Sequence, residues 1–161
     1  MDKNLLKRKY LFMMIPILIL AFVLRVYSLS SQDLYYDETV FYLYSKEFVE
    51  KGTDPWTLAA LQPPLPTWIY SIPMKLFGFS PFAVRFSSAF FGTLTILAAF
   101  YLGRLLYDAR LGFWNAFLLA VSPIAVVYNR TSFTDTTQAF FLLSAITLNE
   151  FCIKKAKKRR F

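Results

Sequence analysis

Asp37 and Glu38 stand side by side in "LYYDETVFYLYSKEF" (34–48). A carboxylate held beside a hydroxyl can take its proton as a general base, so the pair is a candidate for group-transfer chemistry. A third carboxylate, Asp135, closes "NRTSFTD" (129–135), which also contains Arg130. Arg25, Lys75, Arg85 and Arg130 lie within or beside apolar stretches, where cations can meet a lipid phosphate at headgroup depth. "LQPPLPTW" (61–68) places Gln62 before Pro63 and Pro64, and two adjacent prolines stiffen a loop into a binding lip. Each of these residues also has a plainer reading. Asp37 suits a helix N-cap, and Glu38 suits the first turn. Ser132 and Asp135 have capping-box spacing. The four cations are ordinary snorkelling residues by default. "NRT" matches a glycosylation sequon that lies close to an apolar run.

The composition limits the chemistry. The chain has no histidine and one cysteine, Cys152, so an intramolecular disulfide and the familiar zinc sites are excluded. Cys152 beside the basic tail reads as a spectator thiol, with palmitoylation as the alternative. Of 161 residues, 57% are hydrophobic and 19% aromatic, and the mean hydropathy is +0.43. Soluble domains carry about 45–50% apolar residues, so this chain belongs in a bilayer. The net charge of +8 does not indicate nucleic acid, because the charges collect at the ends of apolar runs.

Those runs are the elements that must position the carboxylates. Four of them, about 10–29, 81–107, 111–128 and 134–153, are long enough to cross hydrocarbon as helices. The expected fold is therefore an all-α polytopic membrane protein, one membrane domain over residues 1–161. Lys3, Lys7, Arg8 and Lys9 precede the first run, Arg104 and Arg110 bracket the second turn, and six basic residues close the chain. Four spans put all of these on one side, so both termini are expected in the cytoplasm. Residues 30–80 then form the first extracytoplasmic loop. Within it, 37–51 has an amphipathic helical pattern, with Phe41, Tyr44 and Phe48 on one stripe. Tyr36 and its neighbouring tyrosines suit headgroup depth. The apolar 63–79 is interrupted by four prolines and reads as an interfacial or re-entrant helix. The first run also resembles a signal peptide ending in "SLS", but it is longer than an ordinary h-region and more spans follow, so it reads as a retained span.

The order "LYYDET" (34–39), "QPPLPTWIY" (62–70), the double-span stretch 74–123 and "NRTSFTD" resembles the N-terminal part of the C-type (GT-C fold) membrane glycosyltransferases. The group resembled uses polyprenyl-phosphate sugars, as do protein O-mannosyltransferases, aminoarabinose transferases and lipopolysaccharide galacturonosyltransferases. The resemblance implies a prokaryotic plasma-membrane enzyme that moves a sugar from a lipid-linked donor to an acceptor hydroxyl at the outer face. It makes Asp37 the catalytic carboxylate beside Glu38, with Asp135 as a further catalytic candidate. Arg130, Lys75, Arg25 and Arg85 become candidate donor-phosphate partners. Gln62, Pro63, Pro64 and Tyr36 become candidates on the acceptor and loop side, although Gln62 stands where many members have histidine. Parts of that superfamily use a divalent metal; this sequence shows no complete ligand set and calls for no other cofactor. Members of the fold carry more spans than four. The chain is thus expected to be the first part of a larger machine, inactive alone, with a second polypeptide as one source of the remaining spans. The competing class is a non-catalytic accessory or assembly protein of the same fold. A transporter fits poorly, because the middles of the spans carry no charge.

Overall fold

The computed structural model describes residues 3–58 and 63–159, with side chains described from Lys9 to Thr57 and from Pro63 to Lys157. All regular structure among them is helical: α1 (Lys3–Val26), α2 (Tyr36–Lys51), α3 (Pro55–Leu58), α4 (Pro64–Phe77), α5 (Pro81–Leu106), α6 (Ala109–Val121), α7 (Pro123–Asn129) and α8 (Thr134–Arg159). The boundaries follow local chemistry. Ser80 accepts from the Ala83 amide at 3.2 Å while Pro81 opens α5, and Asp108 accepts from the Leu111 amide at 2.8 Å to open α6. Gly52 ends α2 in the left-handed region at φ 68°, which glycine adopts without a Cβ clash.

α5 is the spine of the fold, packing against α1, α2, α4, α6, α7 and α8. One core joins α1, α5 and α6 through Met14, Ile17, Ile96, Phe100 and Phe113. A second joins α2 and α4 to the start of α5 through Phe41, Tyr70, Met74 and Val84. α5 and α6 approach so closely that a Cβ on Gly112 would lie 2.5 Å from the Phe100 carbonyl oxygen. Phe82, Phe86 and Phe90 stack along α5 with centroids 5.7 and 6.5 Å apart, and Phe91 meets Phe140 of α8 at 5.2 Å.

Among the described residues, two helices are long and apolar enough to cross a membrane, Lys9–Val26 and Pro81–Leu106. The single third span expected over 111–128 is instead two helices, α6 and α7, bent by 63° at Ser122–Pro123, and they make one span only if the bent pair is counted together. Pro123 has no amide hydrogen for the Leu119 carbonyl four residues back, and its ring displaces the turn before it. α8 covers the fourth expected run, but Thr134–Gln138, Asn149 and Glu150 dilute its apolar content, and it is not among the helices apolar enough to cross, so the fourth expected span is not shown. The expected surface helix over 37–51 is α2. The proline-rich 63–79 forms α4, 14 residues long and too short to span.

Arg25 repairs the bend. Its guanidinium is fully buried and donates to the Leu119 carbonyl at 3.3 Å and the Ala120 carbonyl at 3.1 Å, the oxygens that the break leaves without helical partners. A third bond goes back to the Ala21 carbonyl at 3.1 Å. Arg25→Met is expected to lower stability by roughly 1–3 kcal/mol for each carbonyl stranded, read as a fall in the thermal unfolding midpoint in detergent, with Arg25→Lys recovering part of the loss.

Candidate functional site

Glu38 occupies the third position of α2, and its Oε2 accepts from the Tyr35 amide at 3.0 Å, so Glu38 rather than Asp37 closes the start of the helix. Its side chain then turns inward, fully buried, onto Arg85 in the first turns of α5. The two make a bidentate ion pair, Nε to Oε1 at 2.9 Å and Nη2 to Oε2 at 2.7 Å. Arg85 also donates to three backbone carbonyls in the segment joining α1 to α2: Leu29 at 2.8 Å, Gln32 at 2.9 Å and Asp33 at 2.9 Å. All five N–H groups of the guanidinium are thereby used. Glu38 Oε1 additionally accepts from the Ser132 amide at 2.7 Å and the Ser132 hydroxyl at 3.1 Å. Ser132 is therefore a strut between the α7–α8 turn and α2, not the cap that the spacing of "SFTD" suggests.

This carboxylate is held charged. Burial pushes the Glu38 carboxyl upward, but the hydrogen bonds from Arg85, Ser132 and Tyr35, with the charge of Arg85, outweigh it and hold the group below the ordinary range. A buried pair of this kind is costly to break on one side only, because the remaining charge stays in the interior unpaired.

The pair and Ser132 join segments that bear exposed neighbours. Asp37 precedes Glu38 on the exposed side of α2, beside Tyr36, which is 84% exposed. Across the Ser132 strut lie Arg130, half-buried, and Asp135, exposed in the first turn of α8. Phe133 faces Tyr35 with centroids 6.4 Å apart, a second contact between the same two segments. Arg130 donates one bond, Nη1 to the Leu24 carbonyl at 2.9 Å, and forms no ion pair among the described residues. It borders a cavity of about 300 Å³ whose wall includes Ser28, Ser31, Gln32, Tyr35 and Arg85.

The remaining candidates lie apart. Lys75 is exposed near the end of α4, with Nζ 5.5 Å from the Phe48 ring centroid. Arg25 is engaged at the α6–α7 bend. Pro63 and Pro64 open α4, Pro63 exposed and Pro64 buried. Gln62 lies outside the described residues. Asn129 of the sequon accepts from the Thr136 hydroxyl at 3.2 Å and fills the notch left by Gly92, where a Cβ would collide with its side chain. Sequence reading missed the Ser132 and Gly92 contacts, since the partners are far apart in the chain. Among the described residues, no group of three or more histidine, cysteine or acidic side chains converges to hold a metal ion.

A family model described as dolichyl-phosphate-mannose-protein mannosyltransferase matches residues 61–161. The matched region contains Arg85, Arg130, Ser132 and Asp135, and begins after Asp37 and Glu38. An uncharacterized protein of Aquifex aeolicus (strain VF5) is 27% identical over 145 residues, covering 88% of this chain and 29% of that protein. The chain therefore spans less than a third of that relative's length. No solved structure matches.

Glu38 contributes stability while it is ionised. That contribution is full above the ordinary glutamate value of 4.5 and is lost as the pH falls through the lower folded value. Thermal midpoints measured from neutral to acidic pH should thus show a drop below pH 4.5 that is shallower in Glu38→Gln, and that variant should start lower at neutral pH.

Proposed function

As the chain belongs to the dolichyl-phosphate-mannose-protein mannosyltransferase family, we propose that it is the N-terminal module of a membrane glycosyltransferase whose donor is a sugar on a polyprenyl phosphate. The acceptor is a hydroxyl presented at the extracytoplasmic face, and both termini of the chain lie on the cytoplasmic side of a prokaryotic plasma membrane. Family membership and the apolar helices support a glycosyltransferase-like integral membrane protein. The finer reading rests on one observation: a single buried carboxylate, Glu38, bonds both Arg85 and Ser132. That contact brings the segment bearing Asp37 to the segment bearing Arg130 and Asp135.

Asp37 is the base in this proposal. It takes the proton of the acceptor hydroxyl as the acceptor oxygen attacks the anomeric carbon. The bond from that carbon to the phosphate oxygen breaks, with inversion, and the polyprenyl phosphate leaves with the electron pair. Arg130, with one of its five guanidinium N–H groups bonded among the described residues, balances the charge gathering on the leaving phosphate. Lys75 is a second, more distant cation for the headgroup. Asp135 orients the acceptor from the start of α8, and Tyr36, Pro63, Pro64 and Gln62 shape its approach. Glu38 and Arg85 are positioning residues, since each is consumed by the other. Arg25 acts further back, through the shape of the α6–α7 bend. The spans beyond those of this chain complete the donor groove.

Transfer from a lipid-linked sugar, assayed in membranes containing the chain with whatever further spans it requires, should fall roughly 10²–10⁴-fold in Asp37→Asn. The thermal midpoint should stay close to wild type, because Asp37 is exposed and its side chain forms no hydrogen bond or ion pair among the described residues. Arg130→Gln should also slow transfer. Undiminished transfer by Asp37→Asn would remove the base from the mechanism and favour a non-catalytic accessory role.

A further inference from the structure

A groove of about 560 Å³ lies away from the carboxylates, between α5 and α8. Leu94, Leu97, Leu105, Phe140 and Leu148 make it apolar. The Thr147 hydroxyl on its wall is spent on the Leu143 carbonyl at 2.7 Å. One end carries charge: Arg104 lines the groove and forms neither an ion pair nor a side-chain hydrogen bond among the described residues. Lys155 Nζ lies 6.0 Å from the ring centroid of Phe151, another wall residue.

The dimensions fit one leaflet. From Leu94 to Leu105 the groove runs about 16 Å along α5, about half the hydrocarbon thickness. Arg104 lies about 28 Å along the same helix from Arg85, so the two arginines mark opposite boundaries of the bilayer. The groove therefore opens to the leaflet away from the Glu38–Arg85 site.

We propose that this groove binds one anionic phospholipid of that leaflet, an acyl chain along α5 and α8 and the phosphate on Arg104 with Lys155 beside it. Charge decides between a lipid and a helix as the occupant. An apolar helix laid over the groove would bring no partner to the Arg104 guanidinium, whereas a phosphate accepts two of its N–H groups. The site is independent of the glycosyl-transfer reading.

Native mass spectrometry of the full chain in detergent, with phosphatidylglycerol and phosphatidylcholine of identical acyl chains added in equal amounts, tests the proposal. The expected result is one retained phosphatidylglycerol, preferred by about fivefold, the scale expected for one basic residue at an anionic surface. Arg104→Gln should abolish the preference and Arg104→Lys should keep most of it, and neither change touches the packed core. Ala98→Phe, which fills the groove, should reduce retention of both lipids. Equal retention of the two lipids by wild type, or an unchanged preference in Arg104→Gln, would mean annular lipid only and would overturn the proposal. A lipid-free dimer dispersed by Ala98→Phe would overturn it in favour of a second copy on the same face.

Discussion

The Glu38–Arg85 pair is the constraint on which the carboxylate-bearing end of the molecule depends. A guanidinium buried with all five donors used has one orientation, and a carboxylate receiving bonds from three separate segments has little freedom either. Between them they fix the α1–α2 connection through its carbonyls, the start of α2, the start of α5 and the α7–α8 turn. Removing water from both charges is expensive, and a pair of this kind is weak grounds for expecting extra stability. What it supplies is position. Segments 94 residues apart in sequence meet at one oxygen, and the exposed groups beside them inherit that placement.

A second buried arginine works by the same logic at a different depth. Arg25 supplies hydrogen-bond donors to the α6 carbonyls at the proline break, so the bend at Ser122–Pro123 is tolerated where water is scarce. The bend sets the direction of α7, and α7 delivers Asn129, Arg130 and then Ser132 to the carboxylate. Asn129 is held in turn by the notch at Gly92 on α5. Both buried arginines thus serve the path of the backbone, whereas Arg130 and Arg104 form no ion pair among the described residues.

The helices were largely legible in the sequence because their signals are local. The apolar runs place α5 and most of α1, and α2 lies where an amphipathic helix was expected, although its buried face is Glu38, Phe41 and Ser45 rather than the stripe of Phe41, Tyr44 and Phe48. The bend was not legible, since a proline in an apolar run reads the same whether or not a distant arginine supports it. The roles of Glu38 and Arg85 were hidden for a related reason. An acidic residue in the first turn of a helix and a cation near a membrane boundary each have an ordinary explanation, and only the fold shows that they face each other across 47 residues. Ser132 read as a cap because hydroxyl spacing at a helix start is locally identical whether the side chain bonds its own backbone or a carboxylate elsewhere.

The central claim is that the buried pair positions the site rather than taking part in the chemistry. A double-mutant cycle on Glu38 and Arg85 addresses it most directly, with Glu38→Leu, Arg85→Met and the two together scored for thermal midpoint and for sugar transfer. The account predicts that each single change is strongly destabilising, that the double change recovers much of the midpoint because no charge is left unpaired, and that transfer stays low because Asp37 and Arg130 are no longer held together. Additive losses in the midpoint, or transfer that returns with stability in the double variant, would contradict it.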